Sequence, residues 1–163
     1  MQAPNPYAPP KADVADMQTR EAAPPLWNPN AAASWSLFFS PIFGAILHMK
    51  NWQAMGEPQK AAASRTWAIA SAAFLVFMVL LSVWLADNKA VDALARFGGF
   101  GMLVAWYYAL GKSQNAFVLA RYGKDYPRKG WLKPLGIAIG AWVGFMVAAV
   151  IVGVVAGMLG GGN

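Results

Sequence analysis

Cysteine is absent from this 163-residue chain, so neither a disulfide framework nor a thiolate metal site can form. Histidine is almost absent: His48 stands alone, with no carboxylate beside it to complete a metal site. The expectation for it is an ordinary interfacial side chain, with pH sensing the less favoured reading. Acids are also few. Asp13, Asp16, Glu21, Glu57, Asp87, Asp92 and Asp125 all lie outside the long apolar stretches and offer no positioned acid/base pair. No phosphate loop, nucleophile elbow or metal signature occurs. The expectation is therefore a non-enzyme that needs no cofactor. Because no ionisable residue falls inside an apolar stretch, a proton-coupled transporter is disfavoured as well.

Charge as a whole is scarce, at 12% of residues against about 25% in ordinary soluble domains. With 58% hydrophobic residues, a water-soluble fold of this size would lack the polar side chains to cover its surface. Lipid as the outer solvent removes that difficulty. The formal net charge of +6 does not point to nucleic acid, because every Lys and Arg lies before or between the apolar stretches. Such placement is typical of membrane-flanking cations.

What is present falls into an N-terminal tail, residues 1–30, and a membrane domain, residues 31–163. The tail holds seven of the eleven prolines and no apolar core of a signal peptide. It reads as a retained, flexible and disordered Pro-rich segment. The fold class expected for the rest is all-α: a transmembrane helical bundle of four membrane segments, about 31–47, 66–86, 97–111 and 135–159.

The second segment has no ionisable residue, and its ten Leu, Ile, Val and Phe side chains favour insertion by roughly 3–6 kcal/mol. Trp67 and Trp84 mark its two interfaces, and Pro58 suits the first turn of a helix that begins before the lipid. The fourth segment would be roughly 37 Å long as a helix, enough to cross with tilt. Pro134 precedes it and Gly160, Gly161 and Gly162 follow. The third is short, roughly 22 Å, and spans only if Arg96 and Lys112 reach outward at opposite ends. Its helix is expected to run on past Lys112 and stop near Gly123.

Ser40 and Pro41 interrupt the first segment, since proline removes a backbone donor and forces a kink or a break. Either the segment crosses with a kink or it is a re-entrant hairpin. A full crossing places nine basic residues on one side and four on the other; a re-entrant hairpin places eleven against two. Both arrangements make the loop with Arg121, Lys124, Arg128, Lys129 and Lys133 cytoplasmic and the C-terminus periplasmic. They differ over the tail. The full crossing is taken as the expectation.

Two patterns suggest sites. Gly136, Gly140, Gly144 and Ala148 recur every four residues, and Ala149, Gly153 and Gly157 continue on an adjacent strip. Small residues so spaced let helices approach closely. The first reading is packing against the chain's own second or third helix; the second is an interface in a homo-oligomer or larger membrane complex. Gly98, Gly99 and Gly101 are read as tight packing, with a lined cavity as the alternative. The basic loop, where Arg121, Lys124, Arg128, Lys129 and Lys133 mix with Tyr122, Tyr126 and Trp131, is expected to bind anionic lipid headgroups.

Three stretches carry a resemblance: Asn5-Pro6-Tyr7-Ala8-Pro9-Pro10, the run from Trp35 to His48 with Asn51 and Trp52, and the run from Tyr126 to Pro134. They resemble small proteobacterial multi-span inner-membrane proteins with an Asn-Pro-Tyr-x-Pro-Pro tail. The resemblance implies a bacterial inner-membrane location and assigns no site residues. The function expected is partner or lipid binding, as accessory subunit, assembly factor or scaffold. The alternatives are a membrane immunity protein against a bacterial toxin and a small channel or transporter.

Overall fold

Prolines and asparagines place the helix starts. The computed structural model describes residues 22–85 and 88–160. The Asn28 side chain accepts from the backbone N–H groups of Asn30 and Ala31, and Pro29 takes the first position of α1, Pro29–Phe39. Pro41 opens α2, Pro41–Ala54, and Pro58 opens α3, Pro58–Trp84. Proline costs nothing there, because a first-turn N–H has no intrahelical partner to lose. Asn88 caps α4, Lys89–Trp106, in the same way as Asn28. A π turn, Tyr107–Gly111, joins α4 without a break to α5, Lys112–Tyr122. The last element is α6, Leu132–Gly160, with Pro134 inside its first turn.

Every helix among the described residues follows this order, and one isolated bridge, Leu26 to Arg128, is the only β-type pairing there. Two of the four expected segments, now α3 and α6, are long and apolar enough to cross a membrane.

The other two differ from expectation. Ser40 has φ 112° and ψ 163°, a conformation that L-residues rarely adopt, and the chain reverses there. α1 and α2 fold back as an antiparallel hairpin. Ser36 comes against Gly44, His48 reaches Pro29, and Asn51 reaches Trp27. Both ends of the first segment thus lie at the same end of the molecule, which corrects the kinked single crossing. Local residues allow this without dictating it: the residue before proline is disfavoured in the helical region, and Gly44 has no side chain to hold the arms apart.

The third segment is the middle of a longer rod. Helix starts at Lys89 because Asn88 satisfies two free N–H groups and Asp92 pairs with Arg96 one turn on at 2.9 Å. It ends at Tyr122, followed by Gly123 at φ 78°. The rod runs antiparallel to α3, with Gly98 against Phe74 near one end and Arg121 beside Glu57 near the other. Gly98 therefore serves close packing, since a Cβ there would lie 2.8 Å from Phe74. Gly99 and Gly101 face open space.

Two apolar clusters hold these elements together. One joins Leu26, Trp52, Met55, Ala61, Val118, Tyr122 and Tyr126 at the end where the loops are basic. The other joins Ala45, Ala68, Leu103 and Trp106 deeper between the hairpin, α3 and the rod. Leu26 is fully buried, and its backbone exchanges hydrogen bonds with Pro127 and Lys129, each 2.9 Å. The tail expected to be loose through residue 30 is thus a fixed strap over residues 22–28, its partner being the chain's own loop. Residues 1–21, with the rest of the expected tail, lie outside the described residues, as do 161–163.

Candidate functional site

Two polar side chains one turn apart on α2, His48 and Asn51, meet Gln114 from the distant α5 at the base of the hairpin. Asn51 accepts from the Trp27 N–H at 3.0 Å and donates from Nδ2 to the Trp27 carbonyl at 2.8 Å, so its amide pairs with a backbone unit. Nδ2 also donates to Gln114 Oε1 at 3.2 Å, and Gln114 Nε2 donates to the His48 carbonyl at 2.9 Å. His48 Nε2 lies 3.1 Å from the Pro29 carbonyl, an acceptor only, so that nitrogen carries the hydrogen. All three side chains are fully buried. His48 is therefore a fastening inside the fold rather than the interfacial side chain its position suggests.

The π turn makes this meeting possible. A π turn adds one residue to the helix, so Trp106 and Gln114 stand as if seven residues apart, about two full turns. Both then face the hairpin. Trp106 is completely buried, with its ring 5.1 Å from that of His48 in an edge-on arrangement. Gly111, inside the turn, gives its neighbours room: a Cβ there would lie 3.0 Å from Tyr107.

Beside this fastening a groove of about 1020 Å³ opens between the hairpin and α6. Trp27 stands at its basic end. The indole Nε1 donates to the Gly130 carbonyl at 3.1 Å, and Lys129 Nζ sits 4.4 Å above the ring. Lys50, next to Asn51 on α2, and Lys133, in the first turn of α6, line the same groove. Leu37, Phe43, Leu103, Ile137, Trp142 and Met146 make its walls apolar.

Of the five expected headgroup-binding residues, Lys129 and Lys133 reach the groove. Arg121 instead faces Glu57 at 3.5 Å and stacks near Phe117 and Tyr122. Lys124 and Arg128 are exposed on the loop, Arg128 over the Tyr126 ring at 5.6 Å. Burial raises the Tyr126 phenol above its ordinary pKa of 10.0, and the Arg128 cation opposes that shift. Lys50 was missed by sequence reasoning. Its only signal is a cation following an apolar segment, and it shares the groove with Lys129, the strap's Trp27 touching both Asn51 and Lys129.

The glycine strip does not pack on the chain's own helices. A Cβ at Gly136, Gly140, Gly144, Gly153 or Gly157 would meet no atom within 4 Å, and Ala148 is exposed. These positions therefore face away from the chain's other helices among the described residues. The strap holds the loop just before α6 through Trp27 and Gly130, α6 touches α1 and α3 only lightly, and the groove opens between it and the hairpin.

No family model, curated protein or solved structure matches this chain.

Proposed function

We propose that this chain is a non-enzymatic, multi-pass protein of a bacterial inner membrane that acts through the partner or lipid it binds within the bilayer. One observation carries the reading. α6 is apolar on every face, yet only 6% of its most apolar stretch is buried by the rest of the chain. A side chain such as Val, Leu or Ile left in water forgoes about 1.5–3 kcal/mol, and α6 exposes many of them. Hydrocarbon removes that cost, and in hydrocarbon small residues are what associate.

The hairpin fits the same setting. Its arms of 11 and 14 residues are roughly 16 and 21 Å long. They reach from the basic end to about the middle of a core roughly 30 Å thick. The rod from Lys89 to Tyr122 serves as a third crossing beside α3 and α6. The basic end faces the cytoplasm by charge, the strap enters there too, and α6 carries the C-terminus to the opposite side.

Because the native chain has no cysteine, single cysteines report topology on a silent background. In intact cells an impermeant maleimide is expected to label Asn88→Cys but not Gly130→Cys, which should react only after lysis. Ser40→Cys should resist labelling in both. Release of the wild-type chain from membranes at alkaline pH would sink the membrane reading outright.

A further inference from the structure

The groove beside α6 is built like half a bilayer. Its basic end holds Lys50, Lys129 and Lys133, and these are the only ionisable residues among those lining it. No acid lines it, and none of the three lysines forms an ion pair with an acid among the described residues. The cations come from three elements: α2, the loop and α6. The strap brings them together, since Trp27 binds Asn51 beside Lys50, carries Lys129 on its ring, and bonds Gly130 three residues before Lys133.

Away from that end the walls turn apolar. They follow α6 from Lys133 to Met146, roughly 20 Å of helix. Opposite them stands the hairpin down to its tip at Phe39, Ser40 and Pro41. That length matches one leaflet of a core about 30 Å thick together with part of its headgroup layer. The volume of about 1020 Å³ lies at the upper end of the roughly 300–1,000 Å³ usual for ligand sites. A free phosphate would leave the apolar walls empty, and a neutral lipid would leave three cations unanswered.

We infer that this groove holds one anionic phospholipid from the cytoplasmic leaflet, its acyl portion against α6 and the hairpin and its phosphate at Lys50, Lys129 and Lys133. The inference rests on the membrane reading above and names the ligand of the groove beside α6. The lipid fills the groove between α6 and the hairpin, so it doubles as packing material between them.

Native mass spectrometry of the full chain in neutral detergent tests this, with dioleoyl phosphatidylglycerol and dioleoyl phosphatidylcholine as probes. One phosphatidylglycerol should remain per chain, in preference to phosphatidylcholine. K50Q/K129Q/K133Q should weaken its retention by at least roughly tenfold, since each cation near an anionic headgroup contributes about a fivefold factor. R121Q/K124Q/R128Q removes equal charge from outside the groove and should change retention less than roughly twofold. Ala138→Trp, which fills the apolar wall, should expel both lipids. Inorganic phosphate should not compete.

Equal losses from the two triple variants would overturn the site in favour of diffuse attraction. Displacement by inorganic phosphate would reduce it to an anion site. A chain that forms dimers with the groove sealed and lipid-free would assign the groove to a second copy. Each result leaves the alkaline extraction unaffected, so failure of the lipid site is distinguishable from failure of the membrane reading.

Discussion

Gly44 and Gly140 are the same residue in two opposite situations. At Gly44 an added Cβ would collide with Ser36 and Trp106, because two hairpin arms and the rod converge there. At Gly140 it would meet nothing. The hairpin end is closed by fully buried Asn51, Gln114 and His48, whereas α6 stands along an open groove with its strip of small residues uncovered. A glycine pattern alone does not separate these cases. What separates them is whether buried polar groups tie neighbouring elements to one spacing, as they do around Asn51.

That contrast is sharpest where the polar ties are removed. Asn51→Leu keeps the number and branching of side-chain heavy atoms but strands the Trp27 N–H and carbonyl and one side of Gln114. The expected loss is about 3 kcal/mol, since each stranded buried group costs on the order of 1–3 kcal/mol. Thermal unfolding in detergent, followed by tryptophan fluorescence, measures it. A loss below about 1 kcal/mol would mean that apolar contacts alone hold the hairpin.

Gly44→Ala should cost about 2 kcal/mol by overpacking against Ser36 and Trp106, in the same assay. Ser40→Gly should act in the other direction. It relieves a φ of 112° and should stabilise by about 1 kcal/mol. Destabilisation would show that the reversal is not held against strain.

The smallest effect is expected on the other side of the comparison. Gly140→Val should change the stability of the isolated chain by less than about 0.5 kcal/mol, as a surface substitution does. The same change should lower any α6-mediated association, read as cross-linking in native membranes through a photoreactive residue at position 144. A large loss of stability in the isolated chain would return the strip to internal packing.

Much of the helical framework is legible in the residues. The uncharged runs at 66–86 and 135–159 read as long apolar helices because nothing in them opposes insertion. Pro58 and Gly123 mark helix ends because proline suits a first turn and glycine reaches positive φ. The direction of the chain after Ser40 was not legible. Pro41 guarantees an interruption, but reversal also needs Gly44 to admit Ser36 and Trp106, and Trp106 belongs to another helix. The π turn was hidden too, since Tyr107–Gly111 reads as ordinary helix until Trp106 and Gln114 must share a face. The cations that line the groove were legible as a type rather than as a group: the loop supplied Lys129 and Lys133, while Lys50 joins them only in three dimensions.

By itself, the order of residues determined which stretches shun water, where helices begin, and that cations gather between them. These follow from neighbours along the chain: side-chain transfer energies, missing proline donors and caps within one turn. Tertiary structure alone decided that the first apolar segment doubles back, that His48, Asn51 and Gln114 fasten it, and that α6 stands off behind a groove with a cationic end. Those outcomes depend on groups dozens of residues apart satisfying one another's hydrogen bonds, a condition that only a closed fold imposes.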